Sequence, residues 1–447
     1  MLSAMKARRA AASAQAVRGD LIDRLGADRV WIGAPAREIC GLADSSDPVA
    51  VVRPSTLAQV QLIMKIGRAR HVPVVIKSNL PAIEPMNLVD VIVLDTRGLD
   101  RPPSIDISRR VVTVGAGVSI HAVDRAARQA RLCLRGVPAL LGNETIGGLL
   151  GSGDTGSIGL GDGSLLSDVV SLQLVAGSGR LMKIGHASLL ASVPWRSEGL
   201  PDASGILIGA SGRLGVITEV TLRLQPAPWV AWSNLNMTLD RSKILAILSG
   251  ARLAISKRVV DTVLVDESGS MAVRASTWRG ESDLDAVTSI ATKSFERYDI
   301  EFSDWQSEQR RVRLGYEAGQ WPAEPSTSGA ATLEVRMSWP DATKVLDVSD
   351  ALIAAADSEG PQVHRVWAMG ADYIRLRHCF NGQGHQRHPL IRNARYLLDA
   401  GAVPVGLNDT LRTLARERME SGSKVLLTGL ARVWDPDGVL GQPAGLV

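Results

Sequence analysis

The chain has 447 residues, 45% hydrophobic and 21% charged, with 50 Lys and Arg against 46 Asp and Glu for a net charge of +4. This composition supplies two or three packed cores and excludes a disordered or fibrous chain. The small basic excess is scattered, without the basic-aromatic stripe of a nucleic-acid-binding face, and no apolar run reaches the about 20 residues of a membrane span. Cys40, Cys133 and Cys379 are far apart and odd in number. Neither a disulfide framework nor a Cys-x-x-Cys pair is read, and a reducing cytoplasm is expected.

Met1 to Arg18 is basic and alanine-rich without acidic residues, as in a transit peptide, but its apolar pattern continues through Leu21, Ile22 and Leu25. That continuation predicts an N-terminal helical segment within residues 1–45. The β-branched run before Arg53-Pro54 predicts a strand end. Ser55 then caps a helix whose apolar face is Leu57, Val60, Ile63, Met64 and Ile66. Strands follow at 73–77, 91–95 and 111–115, with a helix over 119–130, so the chain begins by alternating the two element types.

Glycine then dominates. Asn143-Glu144-Thr145-Ile146-Gly147-Gly148-Leu149-Leu150-Gly151 runs into a second cluster from Gly153 to Gly163. After an apolar strand at 169–176 comes Gly209-Ala210-Ser211-Gly212-Arg213-Leu214-Gly215-Val216-Ile217-Thr218. Glycine is costly to order and offers positive φ or close backbone approach, so these clusters predict a backbone-lined slot for a large flat or phosphorylated ligand. Gly151-Ser152-Gly153-Asp154-Thr155-Gly156 matches G-x-G-x-x-G literally. That fingerprint needs a following helix, which Ser157-Ile158-Gly159-Leu160-Gly161 cannot supply, so a Rossmann site is rejected. There is no G-x-S-x-G elbow and no P-loop.

From Trp229 glycine thins and tryptophan recurs. Alternating strands at 259–266 and 332–339, with helices at 241–253, 283–298 and 341–356, predict an antiparallel sheet covered on one face by helices. Residues 317–329, rich in proline and serine, suggest a mobile loop. His378 to His388 is the densest histidine patch, but it lacks a full ligand set and no metal site is assigned. It is also readable as a polar loop. Tyr373, His378 and His385 are the candidate proton acceptors, and Arg375 and Arg377 suit a carboxylate substrate.

The order Val-Val-Arg-Pro-Ser, Pro-Val-Val-Ile-Lys-Ser, Val-Gly-Ala-Gly-Val, Thr-Ile-Gly-Gly, Gly-Arg-Leu-Gly-Val-Ile-Thr and Trp-Asp-Pro-Asp-Gly-Val-Leu resembles the FAD-linked oxidase superfamily. That superfamily is typified by vanillyl-alcohol oxidase, p-cresol methylhydroxylase and glycolate or D-lactate dehydrogenase subunits. The resemblance covers residues 47–228 and 407–443. It implies an α+β protein with a bipartite FAD-binding domain (46–228, with a return at 407–447) and an α+β substrate cap containing an antiparallel sheet (229–406). It also implies FAD in a cleft, with backbone amides around its diphosphate. Carried over residue by residue, it points to Ile76, Lys77, Ser78, Asn79 and Leu80 facing the diphosphate. Pro138, Ala139, Thr145, Gly147, Gly148, Gly151 and Gly153 would line flavin and diphosphate, with Gly215 and Ile217 toward the adenine. In relatives Ala139's place lies over the flavin, where a methyl group would hinder oxygen and favour a dehydrogenase.

One loop departs from the pattern. Where the superfamily carries a glycine run often followed by a histidine that bonds to flavin, this chain reads Lys77-Ser78-Asn79-Leu80-Pro81-Ala82. Non-covalent FAD is therefore expected. The resemblance implies an FAD-dependent oxidoreductase taking a hydride from a small alcohol or hydroxy acid and passing electrons to oxygen, a quinone or a protein. The alternatives are a redox-neutral or oxygenating flavoenzyme, or a flavin-poor structural subunit of an oxidoreductase complex. A homodimer or a partner subunit suits either.

Overall fold

The computed structural model describes residues 2–40, 46–78, 88–135, 144–153, 165–185, 203–266, 269–302, 304–307, 331–356, 363–369, 373–380, 387–405 and 414–441. The chain opens with helix α1 (Leu2–Leu25), whose Val17, Leu21 and Leu25 are buried. They pack in one core with the apolar face of α3 (Leu57–Arg70). Between these helices lie β1 (Val30–Trp31), α2 (Ala34–Cys40) and β2 (Ala50–Val52). The cap of α3 is Thr56 rather than Ser55: the Thr56 hydroxyl accepts from the Gln59 amide. Ser55 instead donates its own amide to the Gln59 side chain. With β3 (Val74–Lys77) and β4 (Ile92–Asp95) the first sheet has the order β1-β2-β4-β3. Strands β2, β4 and β3 are parallel, and β1 is antiparallel to β2.

The second sheet is antiparallel. It combines β5 (Ser104–Asp106), β6 (Val111–Gly115), β8 (Val169–Val175), β9 (Leu181–Gly185) and β10 (Val216–Arg223) in the order β5-β6-β10-β8-β9. Helix α4 (Ile120–Gln129), helix α5 (Ile146–Ser152) and the short α6 (Ser204–Leu207) add Ile120, Val123, Ile146, Leu149, Leu150 and Leu207 to its core. Two short strands, β7 (Leu132–Cys133) and β11 (Gln225–Pro226), pair beside it.

The third sheet holds β12 (Trp229–Asn236), β13 (Val260–Asp266), β14 (Ser270–Thr277), β15 (Trp305–Ser307), β16 (Ala331–Met337), β17 (Val363–Met369), β18 (Ile374–Phe380) and β19 (Val403–Val405). Its order is β15-β12-β14-β13-β17-β18-β16-β19, antiparallel throughout. Helices α7 (Arg241–Ser256), α8 (Leu284–Glu296), α9 (Ala342–Ala356) and α10 (Arg387–Asp399) bury one face. Val263, Val273, Val335 and Leu376 point into that helix-covered core. Alternation sends the intervening residues to the other face.

The chain then returns to the first two sheets. Helix α11 (Ser421–Trp434) brings Trp434 into the core of the second sheet, and Val439 and Leu440 enter that of the first. Val74 donates its amide to the Val439 carbonyl and Gly441 returns one to Val74, so the tail lies along β3. The chain is thus an α+β molecule in which the first two sheets share the returning C-terminal segment and the antiparallel third sheet, with its helices, has a core of its own. The proposed loop at 317–329 lies outside the described residues.

Candidate functional site

The candidate cofactor groove forms where β3 ends. Along this strand Ile76 and Ser78 point one way and Lys77 the other, by the two-residue period of a strand. A Cβ on Gly148 would lie 2.5 Å from Ser78 Oγ, and one on Gly212 would lie 2.7 Å from Ile76 Cδ1. Gly212 also has φ +78°, so both its freedom and its missing side chain are used. Ile76 and Ser78 therefore face the glycine-rich segments. Lys77 faces the other way; its carbonyl accepts from Thr96 Oγ1.

Helix α5 is a local feature that the glycine pattern alone does not announce. Gly147, Gly148 and Gly151 are poor helix formers. The turn is held by Thr145, whose hydroxyl accepts from the Gly148 amide, and by Gly153, which ends it in the left-handed conformation. Glycine is needed because α5 lies against its neighbours: a Cβ on Gly147 would sit 2.7 Å from that of Ala116.

This packing revises how the turn can serve a cofactor. Ile146 donates its amide to Val118 O, Gly147 to Ala116 O and Gly148 to Thr145 Oγ1. The expected cradle of amides is thus spent within the protein at these three positions. What the turn offers a ligand is close approach and a narrow wall. Gly151, by contrast, has only Ser211 Cα near its missing Cβ, at 4.0 Å, and Gly153 lies against Gly209. Asn79, Leu80, Pro138 and Ala139 lie outside the described residues. Gly215, at φ +152°, leads into β10, which pairs with β8 from Val216 and with β6 from Glu219. At Ile217 one side of β10 has no strand on it among the described residues. A wall of glycines, Ser78 and a strand end with a free side fits a long, flat, phosphorylated group such as FAD.

The C-terminal edge of the parallel strands is electrostatically fixed. Asp95, 1% exposed, accepts from both Arg53 and Arg97. Burial opposes its charge, but the hydrogen bonds from Arg97 and Arg53 outweigh that and hold its carboxyl below the ordinary value.

The third sheet, here called the cap, carries the other candidate residues. Its helix-free face carries Trp232, Thr262, Leu264, Arg274 and Arg375, all buried although no cap helix covers them. The near edge leans on the β7–β11 pair, where Trp278 donates to the Pro226 carbonyl. Arg274 is bonded to buried Asp261 and lies 5.8 Å from the Trp232 ring. Arg375 shares this face with Arg336, directly opposite on β16, whose guanidinium stacks 4.5 Å from the Tyr373 ring. Arg377 belongs to β18, paired with Glu334 of β16, and its side chain lies outside the described residues. His378 does not: it is fully buried on the helix side, and its Nε2 is 2.9 Å from Ser349 Oγ of α9. His385 lies outside the described residues. The cluster thus brings Tyr373, Arg375 and the unanticipated Arg336 together and sets His378 apart. Arg336 escapes sequence reading because cross-strand register, not spacing, makes it a neighbour. Among the described residues no three His, Cys, Asp or Glu side chains converge as a metal site.

Residues 48–185 match the family described as FAD binding domain. The chain is 28% identical over 184 residues to D-2-hydroxyglutarate dehydrogenase of Xanthomonas citri pv. viticola, a match covering 41% of this chain and 38% of that protein. It is 27% identical over 184 residues to D-lactate dehydrogenase of Archaeoglobus fulgidus, covering 41% and 40%. The match thus spans about two fifths of these curated relatives. In fold, 96% of the chain superposes on 96% of 4-ethylphenol oxidase from Gulosibacter chungangensis, with TM-score 0.78 and 14% identity. Substrate-bound p-cresol methylhydroxylase gives TM-score 0.74 over the same shares, also at 14% identity. Residues 48–185 are thus similar in sequence to an FAD binding domain, and the chain as a whole shares the fold of these two oxidoreductases.

Proposed function

We propose that the protein is an FAD-dependent oxidoreductase that oxidises a small hydroxy acid or alcohol. The observation carrying this reading is Arg375, 3% exposed on the helix-free face of the cap, beside Tyr373. A buried guanidinium suits a carboxylate, and the Tyr373 phenolate can accept the substrate hydroxyl proton to become the phenol. FAD, when bound, supplies the hydride acceptor. The protein's own part is then to orient the substrate through Arg375, to exclude water with the buried cap face, and to hold a proton at the Tyr373 oxygen. His378 fits a packing role better, given its place behind the sheet. The names of the two dehydrogenase relatives support a hydroxy acid.

FAD is taken as non-covalent, because residues 77–82 offer no histidine or other flavin-bonding group. Residues 46–228 with 407–447 would form the FAD-binding body and 229–406 the cap. A small hydroxy acid or alcohol would be the partner on the substrate side, with oxygen, a quinone or a protein as electron acceptor. The purified protein should be yellow, release intact FAD on acid treatment and bleach anaerobically with a hydroxy acid from a panel that includes phenolic alcohols. A colourless protein that takes up no FAD would instead favour the structural-subunit reading, which the glycine-poor loop motivates.

A further inference from the structure

Arg336 has no role in the function proposed above, yet its surroundings are those of a binding group. It sits on β16 between Arg375 of β18 and Val403 of β19, in register with both. Its neighbours Val335 and Met337 enter the helix-covered core, so Arg336 itself lies on the helix-free face. Two arginines directly opposite on adjacent strands repel each other. The Tyr373 ring, 4.5 Å from the guanidinium carbon, fixes the plane of the group. Its Nε is buried and has no hydrogen-bond acceptor among the described residues. A buried N–H without an acceptor is costly, and an oxyanion would relieve both that cost and the repulsion. The position is also accessible: Val403 is 62% exposed while Arg375 is 3% exposed, so Arg336 stands where the covered face opens to solvent.

We propose that Arg336 is a substrate-recognition residue that takes a carboxylate on its Nε edge, with Tyr373 holding the guanidinium flat. This rests on the oxidoreductase reading for the identity of the substrate, and it makes anionic hydroxy acids, rather than neutral alcohols, the preferred class.

The test uses the FAD-loaded full chain and oxalate as probe, with affinity measured by calorimetry and folding checked by thermal unfolding. Replacing a charge-assisted hydrogen bond predicts a roughly 10- to 100-fold loss of oxalate affinity in R336Q. R336K keeps the charge but loses the fork and the ring stack, so it should fall between R336Q and the parent. If R336Q does not fold, R336K alone must bind oxalate more weakly than the parent. Unchanged affinity in any folded variant, or no oxalate binding by the parent, overturns the proposal. Anaerobic flavin bleaching separates the two ideas. Bleaching of R336Q by a hydroxy acid at an unchanged KM overturns the role of Arg336 and leaves the oxidoreductase standing. Failure of every substrate to bleach the parent overturns the oxidoreductase, while calorimetry still decides whether Arg336 binds a carboxylate.

Discussion

Gly148 has room for a hydrogen and nothing larger. A methyl group there would meet Ser78 Oγ at 2.5 Å, Ser78 Cβ at 2.8 Å and Thr145 Oγ1 at 3.0 Å. Gly148→Ala should cost about 1–3 kcal/mol through overpacking and widen the groove, with FAD affinity falling in parallel. Thermal unfolding and flavin fluorescence titration check both. Asp95 makes a different kind of prediction. Its folded-state carboxyl is held below the ordinary value of 3.8, so the stability it contributes is present above that pH and is lost as pH falls through the folded value. Asp95→Asn should cost about 2 kcal/mol near neutrality, toward the low side because Arg53 and Arg97 reach water. Its unfolding midpoint should also vary less between pH 5 and pH 3 than that of the parent.

At the scale of elements, α5 is too short and too rich in glycine to stand alone. Its existence depends on the Thr145 cap and on the strands it touches, so Thr145→Ala should cost about 1 kcal/mol and loosen the groove first. Hydrogen exchange at residues 146–152 would register this before global unfolding does. The β18–α9 contact is a second such case. Ser349→Ala removes a hydrogen bond from buried His378 and should destabilise the cap by about 1–2 kcal/mol while leaving kcat intact. A large fall in kcat in a folded Ser349→Ala protein would return His378 to the chemistry.

For the molecule as a whole, the meeting of body and cap can be followed at one thiol. Cys133 sits in the β7–β11 pair, 3% exposed, and burial together with the nearby Asp124 charge pushes its thiol up to about 12. A thiol held neutral is a poor nucleophile, so the native protein at pH 8 should leave Cys133 unmodified by iodoacetamide. Any condition that parts the cap from the body should expose it, and peptide mass mapping after alkylation reads the site directly. Modification at native rates would mean that this seam opens readily.

The sequence by itself determined the ordering of strands and helices, the change of texture at Trp229 and the glycine walls. Each of these is a local matter of periodicity, propensity or φ. The ordered motifs were enough to point to an FAD binding domain, and the absence of glycine at 77–82 is plain from the sequence. Tertiary structure decided what the walls can do. It set Ile76 against Gly212 and Ser78 against Gly148, and it spent the amides of Ile146 and Gly147 on Val118 and Ala116 of an earlier segment. It also put His378 behind the sheet and paired Arg336 with Arg375 across two strands. Register and packing between distant segments set these facts, and no window of sequence contains them.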